Sequence, residues 1–176
     1  MENEIIDATI DAMKLIVHKR FFQTERGYQG AFCSSLEKEL DKRKILNDEI
    51  ILEMEYQKSE RHGMSQRPDI VLHVPTDKIH VLSKNVGNYA VFAFKHQASK
   101  KDAIEDFDKL DEMFWKLDYQ LGIFISVNSN NHCLEFYNGR YKSKIHCFGV
   151  WLENNTVKIT RAYWENDKEL KTGLLN

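Results

Sequence analysis

Tyr89-Ala90-Val91-Phe92-Ala93-Phe94-Lys95-His96-Gln97 is the stretch on which the fold turns. An unbroken apolar run that alternates neither way is the pattern of a central strand buried on both faces of an α/β sheet, and here it ends in three polar residues. Directly after it, Ser99 with Asp102 three residues on forms a capping-box-like helix start, and Ile104, Phe107, Leu110, Phe114 and Leu117 recur every three or four residues. Leu121 to Val127 reads as a further buried strand. Residues 89–127 are therefore expected to form a strand–helix–strand unit with a right-handed crossover and two parallel strands.

Working outward toward the N-terminus, Pro68-Asp69-Ile70-Val71-Leu72-His73-Val74 reads as a second strand, with its proline at the entrance where no interior ladder bond is lost. A polar loop from Lys58 to Arg67 precedes it, and Glu49 to Tyr56 reads as another strand. Two helices come first. Ile6, Ile10, Met13 and Val17 make one stripe over residues 4–20, and Tyr28, Phe32, Ser35, Leu36 and Leu40 make another over Glu25 to Lys44. Between the two central strands, Pro75 to Asn88 reads as an excursion with a small strand at Ile79 to Leu82. On the C-terminal side, His132 to Trp164 reads as strands punctuated by Asn138-Gly139 and Asn154-Asn155 turns. The expected class is α/β with a hairpin-rich end. The chain is expected to be one domain over 1–176, with an N-terminal helix in 1–22, a core in 25–127 and a strand-rich extension in 128–176.

Composition agrees with a folded globular chain: 42% of the 176 residues are apolar and 30% charged. No apolar run approaches the ~20 residues that span a bilayer, and Met1 to Ile10 carries acids where a secretory signal would carry positive charge. No membrane association and a cytoplasmic location are expected. Three cysteines, Cys33, Cys133 and Cys147, are too few and odd in number for a disulfide framework. With 25 basic against 27 acidic residues, the molecule lacks the cationic surface of a dedicated nonspecific nucleic-acid binder, so contact with DNA must be local. His132-Cys133 and His146-Cys147 do not make a zinc site, because neighbours on a strand point to opposite faces and no paired CxxC spacing supports one.

Period-two alternation puts Asp69, Val71 and His73 on one face of their strand and Val91, Ala93, Lys95 and Gln97 on one face of theirs. A carboxylate and an ammonium can thus converge, and a lysine in an apolar strand calls for an anionic neighbour. His96 should face the other way, as a structural residue.

With its order of elements, Arg67-Pro68-Asp69-Ile70-Val71-Leu72 followed by Val91-Phe92-Ala93-Phe94-Lys95-His96-Gln97 resembles the PD-(D/E)XK restriction-endonuclease-like superfamily. The likeness runs from about Glu25 to Val127. It implies a mixed central sheet flanked by helices and a Mg²⁺-dependent DNA endonuclease, with Mn²⁺ a possible substitute, of restriction, defence or DNA-processing type. It also implies Asp69 as metal ligand, Lys95 as catalytic lysine, Gln97 as auxiliary polar group and a carboxylate from the preceding helix, for which Glu25 is the choice with Gln29 beside it on the substrate side. Glu53 and Glu55 are the alternatives for completing the metal site, Glu53 ahead.

The family's second acid falls at Ala93, so one metal ligand is missing and this form is expected to be inactive. We read Ala93 as a replacement in a parent carrying Glu or Asp; the alternative is a naturally degenerate site, a nuclease fold serving as a nucleic-acid- or protein-binding module in a larger assembly. Arg140, Lys142 and Lys144 are expected to alternate along one strand face as a phosphate-tracking strip. The segment from Ser99 to Tyr119 carries four lysines against seven acids, so its outer face is expected to turn away from DNA and stay free for a partner. DNA is the expected partner, with RNA as the other possible substrate, along with a second copy of the chain or another protein.

Overall fold

The computed structural model describes residues 1–54, 68–75, 87–165 and 169–175. In chain order these are α1 (Glu2–Lys14), α2 (Glu25–Lys42), β1 (Ile51–Met54), β2 (Ile70–His73), β3 (Asn88–His96), α3 (Lys100–Leu117), β4 (Leu121–Val127), β5 (Ile145–Glu153), β6 (Thr156–Glu165) and β7 (Glu169–Leu175). The strands form one seven-stranded sheet in the order β1 to β7, and helices flank it. The β3–β4 and β4–β5 pairs are parallel and the rest antiparallel, so the sheet is mixed.

Each face of the sheet carries its own apolar layer. On one, α1 and α2 cover Ile70, Leu72, Phe92, Phe94, Ile123, Ile125 and Phe148. On the other, α3 and the β4–β5 connection cover Val71, Val91, Ala93, Phe124, Cys147 and Ala162. Strands β3 and β4 thus bury both faces, which is why their sequences are nearly continuous apolar runs. The capping box of α3 is present, with the Asp102 N–H donating to Ser99 Oγ at 3.2 Å and the Ser99 N–H to Asp102 Oδ2 at 3.1 Å. The helix ends where Asp118 turns left-handed, at φ 52°. Among the described residues, no helix is long and apolar enough to cross a membrane.

Several expected boundaries move. Helix α1 stops at Lys14 instead of reaching residue 20; its inward stripe is Ile5, Ile6, Ala8, Thr9, Ala12 and Met13, and Val17 is 58% exposed. Beyond it the chain winds a 3₁₀ turn over Lys19–Gln23 that buries Phe22. Helix α2 ends at Lys42, and Lys44 takes a left-handed φ of 57° that no helix continues. Pro68 and Asp69 precede the strand they were expected to open. The strand expected from Glu49 to Tyr56 is described at Ile51–Met54, while Glu55, Tyr56 and the expected strand at Ile79 to Leu82 lie outside the described residues.

The largest change lies between β4 and β5. Residues 132–144 are not strands: Leu134–Phe136 and Lys142–Lys144 are 3₁₀ turns in an irregular connection. Asn138-Gly139 falls inside it and joins no hairpin, and a Cβ on Gly139 would collide with Asp111 and Tyr137. Asn154-Asn155 does turn β5 into β6, with φ of 49° and 60°, the doubly positive pair that a tight two-residue hairpin needs.

Candidate active site

Antiparallel pairing of Ile70 with Phe92 and Val71 with Val91 brings the residue ahead of β2 alongside Ala93. Asp69 is anchored there, its Oδ2 accepting the Phe94 N–H at 2.8 Å. Asp69, Ala93 and Lys95 open onto one cleft of about 40 Å³, walled by α3 through Asp106 and Lys109. That is room for a few water molecules. Ala93 contributes only a methyl group to it.

The acid that answers Lys95 comes from the helix. Asp106 is 3% exposed, with Lys95 Nζ 3.5 Å from Oδ2 and Lys109 Nζ 2.7 Å from Oδ1. Sequence reasoning missed both Asp106 and Lys109, because the acids of 99–119 were counted together as a solvated face. The signal was present: Asp106 lies three residues after Ala103 and four before Leu110, on the inward stripe, where a carboxylate is costly unless paired.

Glu25 completes the cluster from α2. Its Oε2 lies 3.4 Å from the His96 N–H, and its charge acts on both Asp69 and Lys95. Thr24 fixes this end of the helix by accepting the Gly27 N–H at 3.1 Å. One turn on, Gln29 is buried. His96 turns to the opposite face and donates from Nε2 to the Phe22 carbonyl at 3.0 Å.

These charges set the protonation states. Burial raises the Asp69 carboxyl to about 6; Asp106 and Glu25 push the same way, against the Phe94 N–H and Lys95. For Lys95, burial works to lower the pKa, but the carboxylates of Asp106, Glu25 and Asp69 outweigh it and leave the value above that of an ordinary lysine. Lys95 therefore stays an ammonium at neutral pH. It can neutralise charge growing on a phosphate, but it cannot serve as a base.

Other expected site residues lie elsewhere. Gln97 is exposed beyond the end of β3 with φ 51°, so the alternation that would align it with Lys95 is broken. The Glu53 carboxylate accepts from His73 Nε2 at 3.1 Å, and Glu53 does not line the cleft that holds Asp69 and Lys95. Glu55 is outside the described residues.

Arg140, Lys142 and Lys144 form no strand face, since Arg140 lies in irregular backbone and Lys142–Lys144 is a 3₁₀ turn. Lys142 lies 4.5 Å from the Trp164 ring centroid, Arg140 5.9 Å from that of Trp115, and Lys144 donates to the Tyr119 carbonyl at 2.9 Å. Tyr119 is level with the Asn88 end of β3, so Lys144 sits about 23 Å along the strand from Lys95 at ~3.3 Å per residue.

The donor set does not fit Mg²⁺ as it stands. Among the described residues no three Asp, Glu, His or Cys side chains converge to hold a metal ion. Asp69 spends one oxygen on a backbone N–H, Asp106 faces two lysines and position 93 offers no oxygen from its side chain, whereas Mg²⁺ demands an octahedron of oxygens. Compared with protein-family models, with curated proteins and with solved structures, the chain matches none.

Proposed function

We propose that this chain is an endonuclease domain of the PD-(D/E)XK type, acting on DNA in restriction, defence or DNA processing, and held inactive by Ala93. The observation that carries the reading is the convergence of Asp69, from the start of β2, and Lys95, from the end of β3, on one cleft whose floor between them is the Ala93 methyl. Glu25 at the head of α2 supports it as the helical acid. Lys95, kept cationic by its neighbours, is the group that offsets phosphate charge.

A second reading has its own observation. The Lys95 ammonium already faces Asp106 at 3.5 Å, and a centre whose cation is engaged internally suits a nuclease fold retained for binding.

Ala93→Glu separates the two readings. It adds a carboxylate beside Asp69, and with Mg²⁺ or Mn²⁺ the variant is expected to cut plasmid, linear duplex or single-stranded DNA, with RNA assayed alongside. In that background Asp69→Asn and Lys95→Ala should each lower the rate by roughly 100-fold or more while thermal stability holds. No cleavage of any substrate by a folded Ala93→Glu protein would reject the enzyme reading in favour of the binding module. A near-parental rate in either second variant would remove that residue's role.

A further inference from the structure

Strand β7 is an edge that fits a second copy of itself. It pairs with β6 in seven consecutive positions without a register shift, from Glu165↔Glu169 to Ile159↔Leu175, and among the described residues nothing pairs with its other side. Natural sheet edges are usually blunted by prolines, bulges or inward charges. This one has no register shift and no proline, and its charged residues are Glu169 and Lys171.

Two of the exposed large apolar side chains lie on it: Leu170 is 36% exposed and Leu174 53%. Four residues apart on a strand, they share a face, and Thr172 lies midway between them. The register against Trp164, Ala162 and Thr160 identifies that face as the one covered by α3.

We infer that β7 pairs antiparallel with β7 of a second copy about a two-fold axis through Thr172, extending the sheet across the dimer. In a two-fold pair that keeps the faces of the sheet aligned, residues opposite each other must lie on the same face, which restricts the axis to a residue position. Centred on Thr172, Leu170 meets Leu174 of the other copy and Leu174 meets Leu170, so both exposed leucines find apolar partners across the strands. Centred on Lys171, two lysines oppose each other and Leu170 meets a threonine. Centred on Gly173, Leu174 meets a threonine and Lys171 a leucine. Of these three central axes, the one on Thr172 joins Leu170 to Leu174 and keeps the lysines apart, and it leaves both exposed leucines with an apolar partner, which an axis on Leu170 or Leu174 does not; it is isologous, as dimer interfaces usually are. A seven-residue contact is small beside standard interfaces, so the dimer should build up with concentration.

Site-directed cross-linking of the full chain tests this in a Cys33→Ser background, since Cys133 and Cys147 are buried. On the axis, opposing β-carbons are about 4.5–5.5 Å apart, close to what a disulfide spans. Thr172→Cys should therefore oxidise to a covalent dimer. Gly173→Cys has open space for its new side chain but would face Lys171 of the other copy, so it should stay at background. Light scattering of the unmodified chain should show the mass rising toward twice the monomer across a concentration series, and the exposed Leu174→Lys should abolish the rise with an unchanged melting temperature. A strictly monomeric chain, or Gly173→Cys cross-linking as readily as Thr172→Cys, overturns the proposal. The readout uses no cleavage, so its outcome is independent of the nuclease reading.

Discussion

Burial holds the imidazole of His146 far below its ordinary pKa, at about 3, and the neighbouring Arg161 pushes it the same way. The neutral ring stacks on Tyr163 at 5.2 Å and accepts from Arg161 at Nδ1, 3.1 Å away. An unfolded chain would take up a proton here near pH 6.5, whereas the folded one does not until about pH 3. The stability from this residue is therefore complete above pH 6.5 and lost as the pH falls toward 3, at ~1.4 kcal/mol per unit, or about 2 kcal/mol by pH 5. Asp69 acts in the opposite sense: with its pKa raised to about 6, its contribution declines as the pH rises from about 4 to about 6. Comparison of a variant with its parent isolates the histidine. Urea unfolding of His146→Gln is expected to show a shallower fall in stability between pH 7 and pH 5 than the unsubstituted chain, and equal slopes would contradict the assignment. At this scale the legible site residues were those whose chemistry broke a pattern, Lys95 in an apolar strand and Asp69 after a proline. Asp106 broke a pattern too, but a helix dense in acids concealed it.

Helix α3 shows why some elements could be read and others could not. Its cap and stripe are local in sequence, and both are present. Ser99→Ala removes the side chain that accepts the Asp102 N–H and should cost about 1 kcal/mol in urea unfolding, with no change in the unfolding slope. A cost near zero would mean that tertiary packing alone holds the start of α3. The β4–β5 connection is the counter-case. Its alternating Arg140, Lys142 and Lys144 mimic a strand, but their side chains meet Trp115, Trp164 and the Tyr119 carbonyl, contacts that span 22 residues or more of chain and leave no periodic trace. Helix α1 is intermediate: the stripe was visible, while its end was set by where the chain must drop to bury Phe22.

Across the whole molecule, the α/β class and the parallel β3–β4 pair follow from continuous apolar runs around an amphipathic helix, a pattern that permits few other arrangements. The joining of residues 145–175 into the same sheet was less legible, because strand alternation does not say which sheet a strand enters. In the dimer inferred from β7, the two β3 strands would lie nine strand spacings, or about 43 Å at ~4.8 Å each, apart across a continuous twisted sheet, so the two clefts would be well separated. The spatial order β1 to β7 has one further consequence. Among the described residues, every strand neighbours in space the strand that neighbours it in the chain, so each pairing closes only the segment between the two, and the entropic cost of closure stays small at every step. Helix α1 is the exception, because its apolar stripe joins a layer completed by Phe148, Val150 and Ile159, residues made more than a hundred positions later. Pulse-labelled amide exchange during refolding is therefore expected to protect β3, β4 and β5 before α1. Helix α1, which comes before every described strand in the chain, would be the last of these elements to find its place.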